Sequence, residues 1–331
     1  MAERVMLCPG QGAQAVGMGR AWSAASAAAR SVFERADALL KNRLGAPLSE
    51  LCYSGPVERL NQTDVSQPAI YVASVASWAG LLAGWDCGNQ SGTVEAGVVA
   101  AAGLSLGEYT ALHLAGAFSF EEGLELVVLR GRAMQDAAEA VASGMVALIG
   151  ADEAQAQDVC DEARGSEVLV CANFNAPGQI VISGSRGACE RAVGVAGAKG
   201  LRATALPVAG AFHSPIMAPA ADRLRAALER TTVRAPRCEV YSNVTACPHA
   251  AGNGESIEAN IRRRLVEQLT SPVRWAQSCT NLIAGVHGRG GTAGGVGIEY
   301  HELAPGKTLA GLMRRIDKQA KVETHDEPLQ G

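Results

Sequence analysis

Ser105 stands in the pentapeptide Gly103-Leu104-Ser105-Leu106-Gly107, between a short apolar run and a helical stretch. A serine in that setting has the makings of an activated nucleophile. Glycine on either side lets a strand turn sharply into a helix without a Cβ clash. The turn lifts the hydroxyl above the carboxyl edge of a sheet. The helix that follows offers unpaired N–H groups and the positive end of its dipole. The N–H of Leu106 is then placed to stabilise an oxyanion. The competing reading is a plain strand–helix turn, because glycine and serine are common in turns.

A serine nucleophile needs a base, and the chain has six histidines. His249, His287 and His325 lie in polar or glycine-rich stretches and are expected to be solvated. His113 falls within a helical stretch, on its surface or packed locally. His301 lies near a strand end beside Glu299 and Glu302. His213, in "LPVAGAFHSPIM", follows a strand and sits in a small-residue turn before Pro215. A loop at the carboxyl end of a strand is where a base would face an elbow serine. Base and satisfied loop histidine both remain open for His213 at this point.

These groups need elements to hold them. Arg4 to Cys8 reads as a buried strand, and Gly97 to Leu104 as a second. Helices are predicted over 21–40, over the apolar stretch that starts at Thr63, over 106–114 and over 120–141. From Ser143 the pattern changes to strand, helix, strand, strand, helix, strand, which is the ferredoxin-like split order. That unit is placed at 143–207, inserted into a core of 1–142 and 208–318. The core alternates strands and helices, which predicts a parallel sheet with helices on both faces. The polar tail 319–331 is expected to be flexible. "HGRGGTAGGVG" reads as a flexible surface loop. A phosphate-binding role for 288–297 is rejected, because a dinucleotide fingerprint should follow a strand and open a helix.

Composition narrows the class. With 48% hydrophobic and 19% charged residues, the 331-residue chain is of ordinary globular type and can bury a large core. A net charge of −4 excludes a global nucleic-acid footprint. Nine cysteines without a C-x-x-C pair argue against zinc or thioredoxin-like sites. They read as buried free thiols of a reducing compartment. The N-terminus enters a strand at once and leaves no room for a signal peptide. No apolar run is expected to reach membrane-span length. A cytoplasmic protein with no membrane partner is the default.

Several motifs, in order, carry a resemblance. They are "PGQG" at Pro9, "GLSLGEYTAL" at Gly103, "LRGRAMQ" at Leu129, "NAPGQIVISG" at Asn175, "GAFHSPIM" at Gly210 and "LVEQLTSPVRW" at Leu265. With them the chain resembles the malonyl-CoA:acyl carrier protein transacylases over nearly its whole length. The resemblance implies an α/β-hydrolase-like core with an inserted ferredoxin-like subdomain. It implies ping-pong transfer: Ser105 takes the malonyl group from malonyl-CoA and passes it to the phosphopantetheine thiol of acyl carrier protein. It implies His213 as base, oriented by a backbone carbonyl at Gln268, and an oxyanion hole of the Gln11 and Leu106 N–H groups. Losing one such donor typically costs about 100- to 1000-fold in rate. Arg130 is implied as the holder of the malonyl carboxylate, which a guanidinium pairs through two parallel bonds. Its bland alternative is a helix-surface arginine. Phe212 is implied to fill the space of an α-methyl, favouring malonyl over methylmalonyl. Leu104 stands where the family more often has histidine, so no base adjoins the nucleophile there.

The expected activity needs no metal or redox cofactor; CoA and phosphopantetheine are acyl carriers. A monomer is expected. The alternatives are a polyketide-type acyl loader and a thioester hydrolase. A hydrolase calls for an acidic orienter between the serine and the histidine in chain order, and Asp152 and Asp161 are the nominees. Two basic runs, Arg262-Arg263-Arg264 and Arg314, Arg315 and Lys318, either dock an acidic carrier or are solvated faces.

Overall fold

The computed structural model describes residues 2–85, 96–289 and 297–328. The first apolar run forms β1 (Glu3–Cys8), and the chain continues through α1 (Arg20–Ala25), α2 (Ala27–Leu40), α3 (Leu48–Ser54) and α4 (Val57–Leu60). The 22-residue α5 (Thr63–Gly84) runs through the core, with every residue from Thr63 to Trp78 buried. Next come β2 (Val98–Gly103), α6 (Gly107–Leu114) and α7 (Phe120–Ala140). A capping box opens α7: the Ser119 hydroxyl accepts the Glu122 N–H and the Glu122 carboxylate accepts the Ser119 N–H.

The middle of the chain forms β3 (Ser143–Ile149), α8 (Glu153–Arg164), β4 (Leu169–Ala176), β5 (Gln179–Ser185), α9 (Arg186–Ala198) and β6 (Arg202–Ala205). The strands order as β4-β5-β3-β6 and all pairs are antiparallel. That is the ferredoxin-like order. Alternation along β3 divides its faces. Val146 and Leu148 join a small core with α8 and α9, while Met145 belongs to the main core.

The chain then returns through α10 (Ala218–Arg230), β7 (Glu239–Tyr241), α11 (Ile257–Gln268), α12 (Trp275–Arg289), β8 (Ile298–Leu303), α13 (Thr308–Ile316) and β9 (Val322–His325). The larger sheet orders as β7-β2-β1-β8-β9, with every neighbouring pair parallel. The result is an α/β core with a parallel sheet plus a small antiparallel sheet, as expected.

Four expectations need correction or limits. The helix over 21–40 is two helices. Ser26 has extended backbone (φ −130°, ψ 124°) and its Oγ accepts the Ala29 N–H, so local serine capping interrupts the alanine-rich run. The tail 319–331 is not wholly flexible: β9 adds a parallel strand to β8, and the Trp22 indole N–H donates to the His325 carbonyl at 2.9 Å. Contrary to the reading of apolar length, α5 is long and apolar enough to cross a membrane. It is nearly all buried, as a core helix of a folded domain is. The glycine-rich stretch lies mostly outside the described residues, at 290–296.

Candidate active site

β2 and α6 meet at Ser105, and both glycines are sterically required. A Cβ on Gly103 would lie 1.9 Å from the Gly107 carbonyl carbon, and one on Gly107 would lie 2.0 Å from the Cys8 carbonyl oxygen. The turn is so tight that Ser105 adopts a left-handed backbone, φ 54°. Asn243 locks it from the side. Its Oδ1 accepts the Ser105 N–H at 2.7 Å and its Nδ2 donates to the Gly103 carbonyl at 2.7 Å.

His213 faces the serine. Its Nε2 lies 2.8 Å from Ser105 Oγ, and its Nδ1 lies 2.7 Å from the Gln268 carbonyl oxygen. A carbonyl only accepts, so Nδ1 carries the proton and Nε2 presents its lone pair to the serine hydroxyl. His213 also has a left-handed backbone, φ 57°. It is 3% exposed. Burial, reinforced by the nearby Arg130 charge, pushes its pKa down to about 4, against hydrogen bonds to backbone carbonyls that oppose the shift. At neutral pH the imidazole is therefore the free base. Its ring meets Ser105 and the Gln268 carbonyl, with the Ser271 backbone also acting on it. Asp152 instead caps α8 and Asp161 pairs with Arg164 on the surface, so neither takes the orienting role that the hydrolase reading requires.

Arg130 lies in the middle of α7 and is 1% exposed, which removes the surface reading. Its Nη1 donates to Gln67 Oε1 at 2.7 Å. Its Nη2 donates to Ser105 Oγ at 3.0 Å and to Gln268 Oε1 at 3.0 Å. Nε has no partner. The side chain sits behind the serine, with the Tyr109 ring 5.4 Å away. Among the described residues no carboxylate forms an ion pair with this cation; the buried Glu108 carboxylate acts on it through space, and burial lowers its pKa. A guanidinium held in this way can still pair directly with an anion.

A cavity of about 470 Å³ opens over Ser105 and His213. The larger unit supplies Gln11, Leu104 and Phe212, and the small sheet supplies Met145, Asn173 and Val181. Thr308 and Leu312 of α13 close another side. Among the described residues, the Gln11 and Leu106 N–H groups donate to no protein acceptor. Phe212, 6% exposed, packs beside the base.

Four residues here escape sequence reasoning: Asn243, Glu108, His249 and Gln67. Glu108 is fully buried in the first turn of α6. One of its oxygens accepts the Asn243 N–H at 3.0 Å and the Gln268 Nε2 at 2.6 Å; the other lies 2.9 Å from His249 Nε2. His249 is 6% exposed, not solvated as expected. His325 is likewise buried, whereas His287 is exposed as expected. Gln268 is thus doubly fixed, by Glu108 and by the Ser105 carbonyl at 3.0 Å, and its own carbonyl aims the imidazole. The only local hint was an acid inside an otherwise apolar helix.

The acyl transferase domain model matches residues 5–303. The chain is 38% identical over 330 residues to the malonyl CoA-acyl carrier protein transacylase of Salmonella typhimurium, covering 99% of this chain and 97% of that one. The crystal structure of the malonyl-CoA:acyl carrier protein transacylase from Xanthomonas oryzae pv. oryzae superposes with a TM-score of 0.85 at 38% identity, covering 99% and 96%. A malonyl-transacylase solved in complex with its type II polyketide acyl-carrier protein gives a TM-score of 0.85 at 34% identity, covering 99% and 97%. By the domain model, which spans most of the chain, and by these likenesses, the chain belongs to the malonyl-CoA:acyl carrier protein transacylase family of acyl transferases.

Proposed function

We propose that this protein moves the malonyl group of malonyl-CoA to the phosphopantetheine thiol of acyl carrier protein through a malonyl ester on Ser105. The observation that carries the reading is one oxygen with two partners. Ser105 Oγ lies 2.8 Å from the free-base nitrogen of His213 and 3.0 Å from an Arg130 N–H. Oγ attacks the thioester carbon as its proton passes to His213 Nε2. The Gln11 and Leu106 N–H groups hold the oxyanion. The C–S bond breaks, and the thiolate leaves with the proton from the imidazolium as CoA. The carrier thiol then gives its proton to His213 and attacks the ester carbon; the bond from that carbon to Ser105 Oγ breaks, and the imidazolium returns the proton to Oγ. Side chains and backbone suffice for these steps, with CoA and phosphopantetheine as carriers.

Arg130 selects the acyl group. Its Nη2 lies within hydrogen-bond reach of the atom that bears the acyl chain, so a carboxylate on that chain falls near the guanidinium. Phe212 narrows the cavity beside the base and disfavours an α-methyl. Arg314, Arg315 and Lys318 are the better docking run: α13 walls the cavity, and Arg315 reaches the rim residue Gln179 at 2.9 Å. In the other run, Arg262 is tied to the Leu228 and Thr231 carbonyls, and Arg263 and Arg264 to Glu255 and Glu267. A cytoplasmic enzyme of fatty acid synthesis fits this reading. A polyketide role has support in the likeness to the malonyl-transacylase solved with its polyketide carrier.

The test is intact mass after mixing with malonyl-CoA alone. A malonyl adduct that maps to Ser105, is absent from Ser105→Ala and is discharged by holo carrier protein supports the reading. Free malonate and CoA without an adduct refute it in favour of a hydrolase. Comparing discharge by fatty-acid and polyketide carriers separates the two pathways.

A further inference from the structure

We propose that His301, His325 and Glu323 form a binding site for a zinc-class divalent cation at the edge of the parallel sheet, apart from the catalytic cavity. The two-residue period of a strand puts Glu299 and His301 on one face of β8, and Glu323 and His325 on one face of β9. The parallel register sets His301 opposite Glu323, with His325 two pairs further on, opposite Leu303. His301 Nδ1 then lies 2.9 Å from His325 Nε2 and 3.5 Å from Glu323 Oε2, and the three atoms lie within 4.8 Å of one another. Tetrahedral zinc with bonds of about 2.0–2.1 Å spaces its ligands about 3.3 Å apart. The observed spacings bracket that value.

The surroundings have the order expected around a metal-binding imidazole. The other ring nitrogen of His301, Nε2, lies 3.5 Å from Glu299 Oε2, and Arg4 holds that carboxylate at 3.1 Å. At 3.5 Å this is a charge contact and not a hydrogen bond, and Nε2 has no hydrogen-bond partner among the described residues; a proton on Nε2 leaves Nδ1 as a lone pair. That lone pair faces a second imidazole and a carboxylate, so three acceptors converge on one point. Both histidines are at least 97% buried, which holds the two rings in place against each other. Glu323 is about half exposed and provides the entry. A proton shared between the rings is the competing occupant. The 2.9 Å separation of the two nitrogens fits that hydrogen bond, and either occupant leaves the buried His325 Nδ1 without a hydrogen-bond partner among the described residues, so the titration below decides between them. Two imidazoles and one carboxylate suit zinc, cobalt or nickel better than magnesium or calcium. The ion would pin β9, and with it the C-terminal segment, to the sheet.

The experiment uses full-length, tag-free protein stripped with a chelator and titrated with CoCl2, followed by visible ligand-field absorption, then with ZnCl2 by calorimetry. One equivalent of Co2+ with a four-coordinate spectrum is expected, displaced by Zn2+. Glu299→Gln should weaken binding by about 10- to 100-fold. Glu323→Gln, on an exposed strand position that tolerates the change, should weaken it further with circular dichroism unchanged. Absence of Co2+ binding overturns the proposal in favour of the proton-sharing pair. So do thiolate-to-cobalt charge-transfer bands, which place the ion on cysteines, and so does equal affinity in the Glu323→Gln protein.

Discussion

Replacing Arg130 by methionine tests the selection of the acyl group most directly. The guanidinium is 1% exposed and contacts Gln67, Gln268 and Ser105 Oγ, and among the described residues it forms no ion pair with a carboxylate. A malonyl carboxylate would gain two charge-assisted bonds there, each worth about 1.5–3 kcal/mol. Those figures are already net of the water displaced, so two bonds are worth about 3–6 kcal/mol, or roughly 10²- to 10⁴-fold in kcat/KM. The substitution also removes the bond to Ser105 Oγ, which slows every acyl donor. The ratio of malonyl-CoA to acetyl-CoA kcat/KM cancels that common factor and isolates the carboxylate. The assay is the single-turnover rate of Ser105 acylation at subsaturating donor, read by quench and intact mass. The ratio should fall by at least about 100-fold. Arg130→Lys keeps the charge but loses the fork, and should fall between the two. Equal losses for both donors would refute the argument, and Arg130 would then act on the serine alone.

The free base His213, with its pKa near 4, should keep the acid limb of kcat/KM well below the ordinary imidazole range; a limb at about 6.5 would contradict the burial argument. The same depression has a stability sign. The unfolded chain binds the proton first, so stability present above about pH 6.5 is lost as the pH falls toward 4, by about 3 kcal/mol for this group. Chemical denaturation from pH 7 to 4, compared with His213→Gln, measures it. Glu108→Gln should lower kcat with little change in KM, because Glu108 positions Gln268 and touches no substrate; an unchanged kcat would remove it from the network. Phe212→Ser should raise methylmalonyl-CoA turnover relative to malonyl-CoA, measured in direct competition, and no shift would mean that other cavity walls exclude the methyl group.

What could be read beforehand was local. The elbow is a five-residue pattern, and the ferredoxin-like order is a run of short elements. Each states its meaning within a window of the chain. Arg130 was half legible: it shares a helical face with Val127 and Met134, both buried, although most arginines are exposed. Glu108, Asn243 and His249 were not legible, because they meet across about 140 residues of chain and only the sheet brings them together. The strand β9 was missed for a related reason. Its four residues, Val-Glu-Thr-His, have no apolar run of their own, and β8 and the Trp22 indole supply what holds them.

Ser105 and His213 share one oddity: both hold a backbone shape natural to glycine. Such a conformation costs on the order of 1–3 kcal/mol for another residue. Glycine would relieve that strain at both positions, at the loss of the Gln268 carbonyl's bond to His213 and of the Arg130 bond to Ser105. The strain is kept where the two side chains meet, at the atoms proposed to act on the thioester. Variants selected for heat resistance without a need for turnover should lose the reaction early, by small and conservative steps, while the rest of the molecule stays whole.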